Sequence, residues 1–120
     1  MKHHKINKKT YQFGILSEKI AMIFLRLKGY RILAWRYKTR LGEIDIVAKK
    51  DREIVIVEVK ARKKDSNFEE ILRSRQINRM IVAAQCFLSK NPRFYDHNVR
   101  FDFIFVNKFF WPKHYKNFFS

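Results

Sequence analysis

The chain has 120 residues, enough for one domain with a real core, and its 47% hydrophobic content excludes a disordered protein. Lys and Arg number 27 against 11 acids, a formal net charge of +16, which points to a polyanionic partner: nucleic acid first, an anionic membrane surface second. The lone cysteine, Cys86, excludes an intramolecular disulfide and fits a reducing cytoplasm, with Cys86 itself expected as a small core residue.

Residues 1–12 read as a flexible basic arm, ahead of a single domain over 13–120. Met1–Thr10 lacks the apolar run of a signal peptide, and no stretch approaches the roughly 18 apolar residues of a membrane span, so no membrane partner is expected. Over 15–28, Leu16, Ile20, Ile23, Phe24 and Leu27 recur at helical spacing, and Gly29 stands where a C-cap glycine belongs. Residues 30–37 are aromatic and branched and predict a strand. Over 43–48, Ile44 and Ile46 alternate with Glu43, Asp45 and Val47, and 53–60 is a strong β run. The polar turn between the two makes them a hairpin, with Asp51-Arg52 as its loop. A basic loop (61–67) leads to a helix over 68–90, with a break expected near Ser74 and an end at Asn91-Pro92. Residues 99–106 alternate as a strand that can return parallel to an earlier one, while 107–120 is aromatic and basic with no clear form.

Two acids sit inside the apolar strands, Asp45 and Glu58. A carboxylate there is costly unless something compensates it. With Asp51-Arg52 as the turn, Asp45 lies opposite Glu58 and Glu43 opposite Lys60, while Glu58 and Lys60 share a face. Two carboxylates plus the Val59 carbonyl are hard oxygen donors of the kind Mg²⁺ prefers, and Lys60 can orient a water or a phosphate. The same spacing equally describes a cross-strand salt-bridge patch on a solvated face.

The residues Gly42-Glu43-Ile44-Asp45-Ile46-Val47-Ala48, followed after nine residues by Glu58-Val59-Lys60-Ala61-Arg62, resemble the signature of the YraN-like family of small bacterial proteins. That family is placed in the PD-(D/E)xK nuclease superfamily. The likeness extends to Gly14 and Glu18, Gly29-Tyr30-Arg31-Ile32-Leu33, Arg100-Phe101-Asp102, and His114 with Asn117 and Phe119, so it covers roughly 12–120. It implies a restriction endonuclease-like αβββαβ core, a mixed sheet flanked by helices. It also implies Mg²⁺ or Mn²⁺ dependence and phosphodiester cleavage by Asp45, Glu58 and Lys60. The metal would lie on Asp45, Glu58 and the Val59 carbonyl. Glu18 resembles a first-helix glutamate that helps hold metal in some relatives, a reading weighed against a plain solvated glutamate. Glu43 would be an accessory acid or, in preference, a salt-bridge partner of Lys60. Two departures stand out. The lysine often seen early in the second helix is Arg75 here, and Arg36-Tyr37-Lys38 replaces the family's Asn-x-Arg.

A nuclease must hold its polyanion, and Arg36, Lys38 and Arg40 before the motif and Arg62, Lys63 and Lys64 after it, with Arg75, are the expected phosphate contacts. The expected activity is that of an endonuclease on nucleic acid, DNA ahead of RNA, on branched or damaged substrates, with a homodimer favoured if two strands are cut. The competing expectations are a non-catalytic nucleic-acid-binding protein on the same fold, and an interaction protein whose charge is incidental. Trp35, Trp111 and the C-terminal aromatics could stack on bases but are expected first as core or subunit contacts.

Overall fold

The computed structural model describes residues 8–61 and 74–117. Helix α1 (Lys8–Leu27) leads into β1 (Arg31–Lys38), β2 (Glu43–Lys50) and β3 (Glu53–Ala61); then come helix α2 (Ser74–Ser89), a short 3₁₀ turn (Pro92–Phe94), β4 (Asn98–Val106) and β5 (Pro112–Tyr115). The strands form one mixed sheet in the order β1-β2-β3-β4-β5. β1, β2 and β3 form an antiparallel meander, β4 runs parallel to β3, and β5 returns antiparallel along β4. This is the αβββαβ order that the resemblance implies, with a fifth strand added.

The position of β3 explains its composition. It is a central strand between β2 and β4 whose two faces are covered by the two helices, so Ile54, Val55, Ile56 and Val57 are all buried, as a near-continuous apolar run in a covered strand should be. Helix α1 packs Ala21, Met22 and Leu25 against one face, over Ile46, Ala48, Val55, Val57 and Ile104. Helix α2 packs Met80, Ala83, Ala84 and Phe87 against the other, over Val47, Ile54 and Ile56. Two turns show why particular residues sit where they do. Gly29 closes α1 at φ 93, the left-handed conformation that glycine adopts freely. Gly42 lies so close to α2 that an added Cβ would fall 2.0 Å from the Arg79 carbonyl oxygen.

Three expectations need correction. The helix begins at Lys8, so residues 8–12 are its first turns rather than part of an arm. The tail beyond β4, unreadable in the sequence, contains β5. The alternation of 43–48 is not kept: Ile44 joins the core under α2 while Ile46 joins the core under α1. Among the described residues no helix is long and apolar enough to cross a membrane. Cys86 is half-buried, with the Tyr37 hydroxyl 3.7 Å from its sulfur.

Candidate metal and nucleic-acid site

The β2–β3 hairpin has the register expected from its turn, with Lys50 paired to Glu53 and Ile46 to Val57. The turn residue Asp51 takes a left-handed φ of 54, which Asp tolerates better than most residues. Beyond Ile46 and Val57 the backbone ladder ends, just where the two acids come. There the Asp45 carboxylate replaces the missing strand partner: its Oδ2 accepts the Val59 amide at 2.8 Å. The N–H and C=O of one strand residue point to the same edge, so the Val59 carbonyl faces this gap too.

Asp45 and Glu58 meet in the gap and share a hydrogen bond. Burial, then the charge of Glu58, pushes the Asp45 carboxyl up to about 9. Burial also raises Glu58, against the pull of Lys60. The metal-free pair therefore holds a proton at neutral pH, since two close carboxylates cannot both ionise cheaply in a poor solvent. The Lys60 ammonium lies 3.4 Å from Glu58 Oε1, and both side chains are largely buried. Lys60 thus pairs with Glu58 rather than with Glu43, which lies beside Lys38 on the β1 side because the β2–β3 ladder has already opened.

Arg36 is placed opposite Asp45 in the β1–β2 register, between the pairs Trp35–Ile46 and Tyr37–Ile44, and holds a left-handed φ of 53. Its guanidinium grips Glu18 with both prongs, Nε to Oε1 at 2.9 Å and Nη2 to Oε2 at 3.2 Å. The Trp35 indole donates to the same Oε1 at 2.8 Å. Hydrogen bonding to Glu18 holds the Arg36 guanidinium even more firmly charged than usual. Glu18 is therefore buried at the site with both carboxylate oxygens hydrogen-bonded, a clamp that neither expectation for it foresaw. Glu18, Arg36, Lys38, Glu43, Ile44 and Asp45 line one cleft of about 190 Å³. Lys38 and Glu43 on its wall are joined by the Thr39–Gly42 turn, where the Thr39 hydroxyl donates to the Gly42 carbonyl and accepts the Gly42 amide at 2.8 and 3.0 Å.

So the fold gathers Asp45, Glu58, Lys60, Val59, Glu18, Glu43, Arg36 and Lys38 at one end of the sheet, with Arg40 exposed on the adjoining turn. Arg62, Lys63 and Lys64 lie outside the described residues, as does the side chain of Arg75 in the first turn of α2. Among the described residues no three His, Cys, Asp or Glu side chains gather as a metal cage. The oxygen donors on offer are two carboxylates and one backbone carbonyl, a set that fits a hard divalent ion keeping several waters.

A second polar cluster explains residues that the motif left without a role. The fully buried Asp102 accepts from Arg100 Nε and Nη2, both at 2.9 Å, and from the Asn117 amide at 2.8 Å, and lies 2.7 Å from His114 Nε2. Arg100 also donates to the Tyr30 hydroxyl at 2.7 Å, and Lys28 Nζ lies 2.8 Å from His114 Nδ1. Tyr30, Arg100, Asp102, His114 and Asn117, scattered in the chain, are thus one network around the buried Asp102 that ties β5 to β4 and to the end of α1.

The family model described as "Uncharacterised protein family UPF0102" matches residues 17–106. A UPF0102 protein of Parvibaculum lavamentivorans is 42% identical over 105 residues, 88% of this chain and 79% of its own. One from Rhodopseudomonas palustris is 45% identical over 105 residues, 88% of this chain and 80% of its own. One from Bartonella tribocorum is 36% identical over 116 residues, 97% of this chain and 89% of its own.

Proposed function

The chain belongs to the uncharacterised protein family UPF0102, and on that premise we propose that it is a metal-dependent endonuclease hydrolysing phosphodiester bonds in nucleic acid, DNA before RNA. One observation carries this reading. Two carboxylates, the half-buried Asp45 and the buried Glu58, are pressed together at the opened end of a hairpin, beside a lysine. Such a pair costs stability in the metal-free protein, and a divalent cation is the partner that would compensate it. Asp45, Glu58 and the Val59 carbonyl would hold Mg²⁺ or Mn²⁺. When bound, the ion supplies polarisation of a phosphoryl oxygen and a more acidic water. Lys60 would orient that water or offset charge on the phosphate, which its place beside Glu58 allows. Arg36 and Lys38, on the wall of the cleft, would position the phosphate backbone.

Mn²⁺ titration by calorimetry, without nucleic acid, tests the site. The unmodified protein should bind the ion and Glu58→Ala should not. Absence of binding by the unmodified protein, with or without DNA, overturns the nuclease reading. A second reading, a nucleic-acid-binding protein without turnover, draws on the Arg36 clamp, which holds both Glu18 oxygens in hydrogen bonds. It predicts salt-dependent binding of branched DNA with no cleavage when Mn²⁺ is supplied.

A further inference from the structure

The turn between β4 and β5 projects aromatic rings from a rigid base. Asn107 Oδ1 accepts the amides of Phe109 and Trp111 at 2.9 and 3.1 Å, and the Phe110 amide donates to the Asn107 carbonyl at 2.9 Å. Phe110 takes a left-handed φ of 60 inside this lock. On either side of it the Phe109 and Trp111 side chains are 76% and 73% exposed. Two such rings on one turn beside an apolar groove make a contiguous patch, which marks an interaction site where a lone exposed ring does not.

The turn also stands at the same end of the molecule as the acid pair. In the β3–β4 register Lys60 lies beside Phe105, so Asn107 is two residues further on, about 7 Å along the strand. The turn closes on the first turns of α1, where Phe13 meets Phe110 edge to face at 5.5 Å. Between them runs an open apolar groove of about 310 Å³, floored by Phe13, Leu16 and Phe110 and edged by Lys9 and Lys108. Along α1 a second apolar hollow, carrying Tyr11 and Lys19, leads from this groove towards the cleft. There the Arg36 guanidinium lies 5.8 Å from the Tyr11 ring centre. Among the described residues no acid lines either hollow.

We propose that this aromatic turn and groove form a platform for the unpaired bases of single-stranded nucleic acid, with the lysines along their edges taking the phosphates. The substrate class of the proposed nuclease is then a nucleic acid with an unpaired segment next to the phosphodiester to be cut. This rests on the nuclease reading for the cut, but not for the binding. Stacked aromatics with cationic edges are the ordinary means of holding single strands, because every base has a face to stack. A flat basic surface would suffice for duplex.

Fluorescence anisotropy in EDTA separates the two questions, since nothing can be cut and no ion is needed. The ligands are a labelled oligothymidine and a duplex of equal length, and the proteins are the unmodified chain, Trp111→Ala and Phe109→Ala. Both substitutions remove exposed rings, and circular dichroism checks that the fold survives. Each variant should bind the single strand at least about fivefold more weakly, the lower end of the effect of removing one stacked base, with duplex affinity within about twofold. Quenching of tryptophan fluorescence by the oligonucleotide should fall in Trp111→Ala. Equal losses on both ligands, or no loss on either, would overturn the proposal. So would a flat oligonucleotide titration in which Trp111→Ala instead abolishes self-association or binding to anionic vesicles. Failure here leaves Mn²⁺ binding untouched, and failure of Mn²⁺ binding leaves this result standing.

Discussion

Arg36 holds a conformation that few residues adopt within a strand, and it stands where the resembling family carries asparagine, the side chain most at ease there after glycine. Here the left-handed backbone carries an arginine instead, and its guanidinium is directed onto Glu18. Two other carboxylates show how environment decides sign. Burial alone would raise Asp102, but hydrogen bonds from His114, Arg100 and the Asn117 amide outweigh it and hold Asp102 below the ordinary carboxylate range. Its contribution to stability is complete above the unfolded value near 4 and is lost as pH falls through the lower folded value. Asp45 runs the other way. Its folded value, about 9, exceeds the unfolded one, so between roughly pH 4 and 9 the folded state holds the extra proton and stability declines as pH rises. In EDTA, urea unfolding of Asp45→Asn should therefore fall less with pH from 5 to 9 than that of the unmodified chain, leaving the variant about 1–3 kcal/mol more stable at the alkaline end. Equal slopes would contradict the burial of this pair. The acids themselves were legible as charges inside apolar strands. Their meeting in a gap was not, because it depends on the ladder ending at Ile46 and on Ile44 and Ile46 turning to opposite cores.

β5 is four residues long and begins with a proline, so its local pattern is too weak to declare a strand. What places it is a side chain far away. Asp102 on β4 is reached by His114 from β5 and by the Asn117 amide just after it, while Arg100 carries the link to Tyr30 behind α1. Four polar groups converge on one carboxylate, and three of them are plain donors. Asp102→Asn would turn one acceptor oxygen into a donor and leave the partly buried Arg100 without its counter-charge. The loss should be about 3 kcal/mol in urea unfolding, with faster amide exchange concentrated in β5. Exchange unchanged in β5 would mean that the strand is held by pairing alone. Elsewhere the elements were readable in proportion to how far local pattern and tertiary burial agree. β3 is apolar on both faces because it is covered on both faces. The start of α1 was missed because Lys8, Lys9 and Thr10 carry no apolar stripe, although the helix runs through them. Gly42 entered only as the first residue of the motif, yet its lack of a Cβ is what lets α2 approach so closely.

Among the described residues across the molecule, most acids are already paired. Glu18 is held by Arg36, Glu53 and Asp102 by Arg100, Glu58 by Lys60, and Asp96 by Arg52 and His97. Lys and Arg outnumber the acids 27 to 11, which leaves the net charge at +16. A field of that sign acts through phosphates before any base is read. Arg36, Lys38 and Arg40 share one end of the sheet with the acid pair, which is where a phosphate backbone must lie if it is to be cut there. This argues for a salt-sensitive association rather than incidental basicity. Binding of a duplex of about 20 base pairs in EDTA, followed from about 50 to 200 mM salt, should weaken with a log–log slope of about −3 or steeper, since each neutralised phosphate adds about −0.9. Lys38→Gln and Arg40→Gln together should make the slope shallower by about 2 and weaken binding alike for unrelated sequences. The two substitutions should leave Mn²⁺ affinity in the absence of DNA nearly unchanged, because they remove none of the oxygen donors, Asp45, Glu58 and the Val59 carbonyl. A slope near zero would mean that the charge has another purpose. A steep slope that the double variant does not alter would move the phosphate track away from the acid pair, and with it the case for cleavage at that end of the sheet.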